Sequence, residues 1–165
     1  MPGWPGSPTR STCEPVPGAW SVRRRGEERT SHAIGTGDWV LDEDTEDPDP
    51  APVTTIAWRL QHLHWSFAGR CEWTFGQRRR RPADLVRATV SASLALERLN
   101  TVLDSWRAGI GALTEEQLDT TGFGQFPHGS DPDVPFAVIV AWTNYEFTHH
   151  MAEVALLRDL WRHRG

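Results

Sequence analysis

Apolar residues recur at helical spacing in three long segments of the chain, over residues 53–76, 82–108 and about 133–162. Positions three and four residues apart lie on one face of a helix, and a folded domain buries that face against its neighbours. No segment shows a strand pattern that would build a sheet. The pattern therefore predicts an all-α domain, and three long helices usually complete an antiparallel bundle with a fourth.

Each predicted helix begins at a residue that favours a helix start. Thr54 or Thr55 is expected to cap the first helix, because a threonine hydroxyl accepts a hydrogen bond from the first turn. Pro82 fits the first turn of the second helix, where a backbone N–H would have no partner within the helix. Asp133 is expected to cap the last helix, with Pro135 tolerated in its first turn.

The first predicted helix is apolar on two faces, which indicates that it is wedged between neighbours. One face consists of Ile56, Leu60, Leu63, Phe67 and Cys71, and the other of Trp58, His62, Trp65 and Gly69. The expected core face of the second helix consists of Leu85, Leu96, Leu99, Leu103 and Trp106.

The remaining segments are irregular or short. Residues 1–18 are rich in Pro, Gly, Ser and Thr and are expected to be disordered or irregular, which leaves residues 19–165 as the helical domain. Short extended pieces are expected within residues 19–41, followed by an acidic, proline-rich linker over residues 42–52. The spacing Thr114–Gln117 predicts a capping box at the start of a short helical turn.

Composition narrows the class of protein. The chain has 165 residues and a net charge of -5, which argues against nucleic-acid binding because phosphates require a basic surface. The arginine runs 23–25 and 78–81 are interpreted as solvated helix ends or loops. No apolar run reaches the roughly 20 residues that span a membrane, and no signal peptide is recognisable. A cytoplasmic protein without a nucleic-acid or membrane partner is therefore expected.

The stretch most informative about chemistry lies on the last predicted helix, over residues 144–160. Glu146 and His150 are four residues apart, so they project from the same face, one turn above the other. On that face they lie between Ile139 and Leu157. Burying two ionisable side chains in an apolar stripe costs free energy unless they have a partner. A metal ion would satisfy both side chains, so the spacing predicts a candidate metal site.

One histidine from the first helix would complete a set of two imidazoles and one carboxylate, which suits zinc, nickel or ferrous iron. Periodicity leaves His62 and His64 both open, because each lies on or near an apolar face of that helix. His149 projects to a different side from His150 and is interpreted as an outer group or an ordinary surface histidine. The alternative is a buried, hydrogen-bonded polar cluster without a metal.

Several segments resemble the DinB-like superfamily, which is related to the N-terminal domains of mycothiol-dependent maleylpyruvate isomerases. Residues 52–62 are similar to the second-helix signature of that superfamily, and residues 144–160 to its last-helix signature. Residues 19–23 and 37–39 resemble the loop that precedes the second helix. The resemblance covers roughly residues 14–162 and is specific when both helices are taken together.

The resemblance implies an up-down four-helix bundle that holds a metal with three side chains, usually histidines. One ligand comes from the second helix of the family and two from the last. Carried over by position, the first ligand is His62, the last is His150, and the middle one falls on Glu146. A carboxylate binds the same metals but adds a negative charge. It would favour a harder ion and weaken the activation of a bound thiol or water.

The family's bundle begins with a long helix, and residues 1–18 do not have a helical pattern. The expected fold is therefore a DinB-like bundle whose first helix is missing or replaced by an irregular N-terminal segment. A missing helix would expose the apolar flank of its neighbours. A homodimer is expected to relieve that exposure.

The resemblance implies a metal-dependent enzyme that acts on a small molecule. The expected activity is that of a thiol-dependent S-transferase or isomerase, with the metal binding the thiolate of a cofactor such as mycothiol or bacillithiol. Metal-assisted hydrolysis is the variant with water as nucleophile. His149, Glu153 or Arg158 would orient the substrate or the ligands, although Arg158 also fits an ion pair with Asp159. The alternative is a non-catalytic bundle that binds a small molecule or a partner without a metal.

Overall fold

The computed structural model describes residues 18–45, 48–124 and 133–163, and this part of the chain is mainly helical. The elements in chain order are β1 (Val22–Arg24), β2 (Trp39–Leu41), α1 (Ile56–Thr74), α2 (Pro82–Leu85), α3 (Ala92–Gly111), α4 (Glu115–Asp119) and α5 (Phe136–Arg162). The predicted mainly helical class is confirmed, and the extended pieces expected within residues 19–41 form a two-stranded antiparallel sheet.

Helix α1 packs against α3 on one side and against α5 on another. The face that begins at Ile56 is confirmed as a core face, because its leucines and Phe67 are buried and Ile56 and Cys71 pack against them. Burying a Leu or Phe side chain stabilises a fold by about 1.5–3 kcal/mol, so this face holds the bundle together. The buried core residues are Leu60, Leu63, Phe67, Ala95, Leu99, Leu103, Trp106, Phe136 and Ile139.

The small sheet fixes the start of α1. Thr55 is the N-cap, as predicted, and its hydroxyl accepts a hydrogen bond from the backbone N–H of Trp58. The indole N–H of Trp58 donates to the backbone carbonyl of Asp42 at 2.7 Å, just after β2. The Asp42 carboxylate is fully buried and accepts hydrogen bonds from the Arg23 guanidinium and the Ser21 backbone N–H, both at 2.9 Å. These contacts hold Trp58, one turn before His62, in a fixed position.

The prediction of one continuous helix over residues 82–108 is wrong. The chain forms the short helix α2, continues in an extended conformation from Val86, and enters α3 only at Ala92. Val86 is 4% exposed and packs with Val22, Leu41 and Trp58 beneath the small sheet, which a helical backbone would not allow. The hydroxyl of Ser91 then caps α3 by accepting a hydrogen bond from the Leu94 backbone N–H.

Two further details differ from the sequence-based expectation. Leu96 is 45% exposed, and Ala95 takes its place on the core face of α3.

Helix α5 begins at Phe136 with Pro135 in the N-cap position and no side-chain cap, so Asp133 does not cap it. The Phe136 backbone N–H instead donates to the carbonyl of Thr120. The capping box at Thr114–Gln117 is confirmed in α4.

Several predictions concern parts of the chain that this structure does not test. The irregular segment predicted over residues 1–18 lies outside the described residues, except for Gly18. The homodimer and the domain boundaries stay predictions. In the described part of the chain, no helix combines the length and the apolar content that crossing a membrane would require.

Candidate metal centre

The three predicted ligands lie together where α1 meets α5. His62, Glu146 and His150 each offer one ligand atom, and these atoms lie within 4.8 Å of one another. His150 Nε2 lies 3.4 Å from Glu146 Oε2, as expected for side chains one turn apart on a helix. The His62 ring meets the His150 ring edge-on, with a centroid distance of 4.9 Å. The fold therefore brings a histidine of α1 to the predicted pair on α5.

His62 is held between two tryptophans of its own helix. Its ring stacks on Trp58 at a centroid distance of 4.7 Å and meets the edge of Trp65 at 6.1 Å. Its Nδ1 is buried and has no hydrogen-bond partner. Burial, and then the charges of His150 and Arg59, lower the pKa of His62 to about 4. The ring is therefore neutral at pH 7, which is the form that coordinates a metal.

His150 faces a second carboxylate through its other ring nitrogen. Its Nδ1 lies 2.9 Å from Glu153 Oε2 and 3.1 Å from Arg59 Nη1, and Arg59 also forms an ion pair with Glu153. When Nδ1–H donates to Glu153, Nε2 keeps a free lone pair on the side of Glu146. This carboxylate–histidine arrangement is the one that orients histidine ligands in metal sites. Burial, and then Arg59 and His149, lower the pKa of His150 to about 4.

The donor set fits a divalent transition metal. Ligand atoms about 2.1 Å from a tetrahedral zinc ion lie roughly 3.4 Å from one another. The His150–Glu146 distance of 3.4 Å already has this value, and the ligand atoms of the whole set lie within 4.8 Å of one another.

The other residues named from the sequence occupy different surroundings. His149 is exposed, stacks on Tyr145 at a centroid distance of 6.1 Å, and lies 3.4 Å from Glu153 Oε1. His149, His150 and Glu153 form a second group whose ligand atoms lie within 4.8 Å, so His150 belongs to both groups. Arg158 pairs with Asp159 and not with this cluster. His64 lies elsewhere, in the wall of a pocket between α1 and α3.

Sequence reasoning missed Arg59. Its guanidinium reaches from α1 to His150 and Glu153 on α5 and carries the positive charge closest to the candidate ligands. Arg59 lies three residues before His62, and residues at that spacing share one side of a helix. The sequence feature that could have identified Arg59 was therefore its position one helical turn before the candidate ligand His62.

Lowering the pH from 7 to about 4.5 is expected to reduce the free energy of unfolding. The pKa of His62 is about 4 in the folded chain, whereas that of an unperturbed histidine is 6.5. Between these values the unfolded chain binds a proton that the folded chain excludes, so stability falls as the pH falls through this window. The shift corresponds to about 3 kcal/mol for His62. Urea unfolding at several pH values measures this change in the free energy of unfolding.

His62→Gln should reduce the dependence of the unfolding free energy on pH without removing it, because burial also lowers the pKa values of His64 and His150 to about 4. An unfolding free energy that is the same at pH 7 and pH 4.5 for the unsubstituted chain would contradict the prediction.

Comparison with known proteins identifies the family. The sequence matches the family model of the DinB superfamily over residues 9–154, which is most of the chain. No curated protein and no solved structure matches it. The superfamily is known for metal-binding members, and the candidate His/Glu site described above agrees with that property. With the family match and the mainly helical fold together, this chain belongs to the DinB superfamily.

Proposed function

We propose that the protein is a metal-dependent enzyme whose divalent ion is held by His62, Glu146 and His150. The observation that carries the proposal is the convergence of these three side chains from α1 and α5, with ligand atoms within 4.8 Å of one another. The lowered pKa of His62 supports it, because the ring is neutral at pH 7 and a neutral imidazole is the form that coordinates a metal. Zinc, nickel and ferrous iron all accept two imidazoles and a carboxylate.

A bound divalent ion would lower the pKa of a thiol or a water molecule and so supply a nucleophile at neutral pH. The protein's own residues prepare the site for this chemistry. In the tautomer with the proton on Nδ1, His150 donates a hydrogen bond to Glu153, which leaves the lone pair of Nε2 available to the ligand cluster. Arg59 pairs with Glu153 and fixes that carboxylate. Trp58 covers one face of His62 and keeps water from that side of the ring.

The reaction we propose is thiol S-transfer or isomerisation with a low-molecular-weight thiol such as mycothiol or bacillithiol. Membership in the superfamily supports this choice. The cytoplasmic location expected from the sequence would provide such a thiol. Glu146 brings a negative charge to a position where the family usually has histidine, and that charge weakens the activation of a bound thiol or water. Hydrolysis with water as the nucleophile is the variant of the same proposal, again on a small-molecule substrate.

A specific observation favours the alternative of a non-catalytic bundle. In the tautomer with the proton on Nε2, His150 Nδ1 accepts a hydrogen bond from the Arg59 guanidinium, which also pairs with Glu153, so the cluster is hydrogen-bonded without any ion. A polar cluster satisfied in this way has a structural role of its own. The two hypotheses differ in whether the purified protein binds a metal at the predicted ligands.

Metal analysis of the purified protein separates these hypotheses. After incubation with Zn²⁺, Ni²⁺ or Fe²⁺ and removal of excess ion, we expect about one metal ion per chain, because three donors converge there. His62→Ala and His150→Ala should each lose the ion, since each removes a ligand. His163→Ala, an exposed histidine of the same chain, should retain it. Substoichiometric metal in the unsubstituted protein under every loading condition would overturn the proposal and favour the non-catalytic bundle.

A further inference from the structure

A pocket lies on the opposite side of α1 from the candidate metal centre. Its volume is about 520 Å³, and it is lined by residues of α1, of α3 and of the connection between them. His64 lines this pocket, whereas His62 faces α5. Residues two positions apart point to nearly opposite sides of a helix, so the pocket and the metal centre use different faces of α1. None of the three candidate metal ligands lines the pocket.

The pocket lined by His64 carries more positive than negative charge. Arg80, Arg87 and Arg98 line it, and its acidic residues are Glu72 and Glu97. The Glu72 carboxylate already accepts hydrogen bonds from the backbone N–H groups that follow α1 at residues 79 and 80. Its negative charge is thus partly compensated by these backbone dipoles. The remaining balance favours an anion as ligand.

The arginines of this pocket retain donors for a ligand. Arg98 donates from Nη1 to the carbonyl of Arg87 at 2.6 Å, and Arg80 donates from Nη2 to the carbonyl of Asp84 at 2.9 Å. A guanidinium has five N–H donors, so each of these bonds uses only one of them. The bonds also fix the position of both guanidinium groups. Fixed guanidinium groups bind carboxylate and phosphate through paired hydrogen bonds.

His64 is a buried part of the wall of the same pocket. The residue is 7% exposed. Burial, and then the charges of Arg98, Arg87 and Arg80, lower the pKa of its ring to about 4. The ring is therefore neutral at pH 7, and the positive charge of the pocket comes from the arginines alone.

The wall of the pocket is partly apolar. Ala68, Phe75, Leu85 and Val102 line it beside the charged residues. Ligand sites commonly combine an apolar lining with a few convergent polar groups, and their volumes are roughly 300–1,000 Å³. The size and the lining of this pocket fit a small organic molecule better than a bare inorganic ion.

We propose that this pocket binds a small organic anion, with its carboxylate or phosphate group on Arg98 and Arg87 and its apolar part against Phe75 and Leu85. The arginines and the apolar wall of the pocket both support this ligand. The pocket is separate from the candidate metal centre, so the anion would be recognised whether or not a metal is bound.

Isothermal titration calorimetry on the full chain, treated with a chelator and kept at constant ionic strength, tests this proposal. The probes are phenyl phosphate, benzoate and inorganic phosphate. We expect saturable binding of one phenyl phosphate or benzoate per chain, tighter than inorganic phosphate because of the apolar wall. Arg98→Gln and Arg87→Gln should each weaken binding at least about tenfold, as expected for losing a bidentate charged contact. Arg87 is exposed, so its variant tests the site without disturbing the core.

Two control variants sharpen the test. Arg107→Gln removes an exposed arginine on the same helix, paired with Asp104, and should leave anion binding unchanged. Arg59→Gln removes the arginine of the metal centre and should also leave it unchanged. No saturable binding to the unsubstituted chain would overturn the proposal, and so would binding lost in Arg59→Gln but retained in Arg98→Gln. Because the chelator removes metal, failure of the metal proposal does not affect this result.

Discussion

Replacing Glu146 by glutamine is expected to lower the affinity for Zn²⁺ by at least about 100-fold. Loss of an outer partner of a metal ligand costs roughly 10- to 100-fold, and Glu146 is itself one of the three candidate ligands. Glutamine keeps the size of the side chain and its place on α5 but removes the charge that attracts the ion. Competition with a fluorescent zinc chelator measures the change.

Matched variants show which of the two groups of candidate ligands holds the ion. Glu146→His supplies the histidine that is usual in the family and should retain or strengthen zinc binding. Glu153→Gln removes the partner of His150 Nδ1 and should cost only about 10- to 100-fold. Unchanged affinity in Glu146→Gln, together with loss of zinc in Glu153→Gln and His149→Ala, would place the ion at the second group of residues and contradict the prediction.

Helical spacing made part of this site predictable. Glu146 and His150 had to share one side of α5, because four residues make about one helical turn. The choice between His62 and His64 could not follow from periodicity, since each lies near an apolar face. It depends on how α1 is rotated about its axis, which the contacts of Trp58 beneath the small sheet fix. The resemblance to the superfamily selected His62, and the structure places that residue against His150.

Long-range contacts account for what the sequence did not reveal. Arg59 reaches a carboxylate that is 94 positions later in the chain, and no local pattern indicates such a pairing. The break between α2 and α3 has a similar cause, because Val86 leaves the helical path to pack beneath the sheet. At Val86 the tertiary contact overrides the helical preference of the local sequence, whereas Arg59 keeps its predicted place in α1 and only its partner is distant. The three long helices were predictable because their apolar periodicity is itself local.

Replacing Trp106 by alanine is expected to lower the free energy of unfolding by about 3–5 kcal/mol. The side chain is 2% exposed and contacts aromatic rings from three parts of the fold, with centroids 6.1 Å from Phe67, 5.6 Å from Phe75 and 6.1 Å from Phe136. Truncation leaves a cavity between α1, α3 and α5 that the surrounding residues cannot fill. Urea unfolding followed by circular dichroism measures the loss.

A graded series of variants tests whether packing causes the loss at Trp106. Its indole N–H is buried without a hydrogen-bond partner, so Trp106→Phe removes an unsatisfied donor while it keeps an aromatic ring, and it should cost less than Trp106→Ala. Leu96→Ala removes an exposed side chain from the same helix and should change stability by less than about 1 kcal/mol. Equal losses for Leu96→Ala and Trp106→Ala would mean that Trp106 does not join the three helices. Domains of this kind are stable by only about 5–15 kcal/mol, so losing Trp106 should also loosen the contact between α1 and α5 on which the candidate metal centre depends.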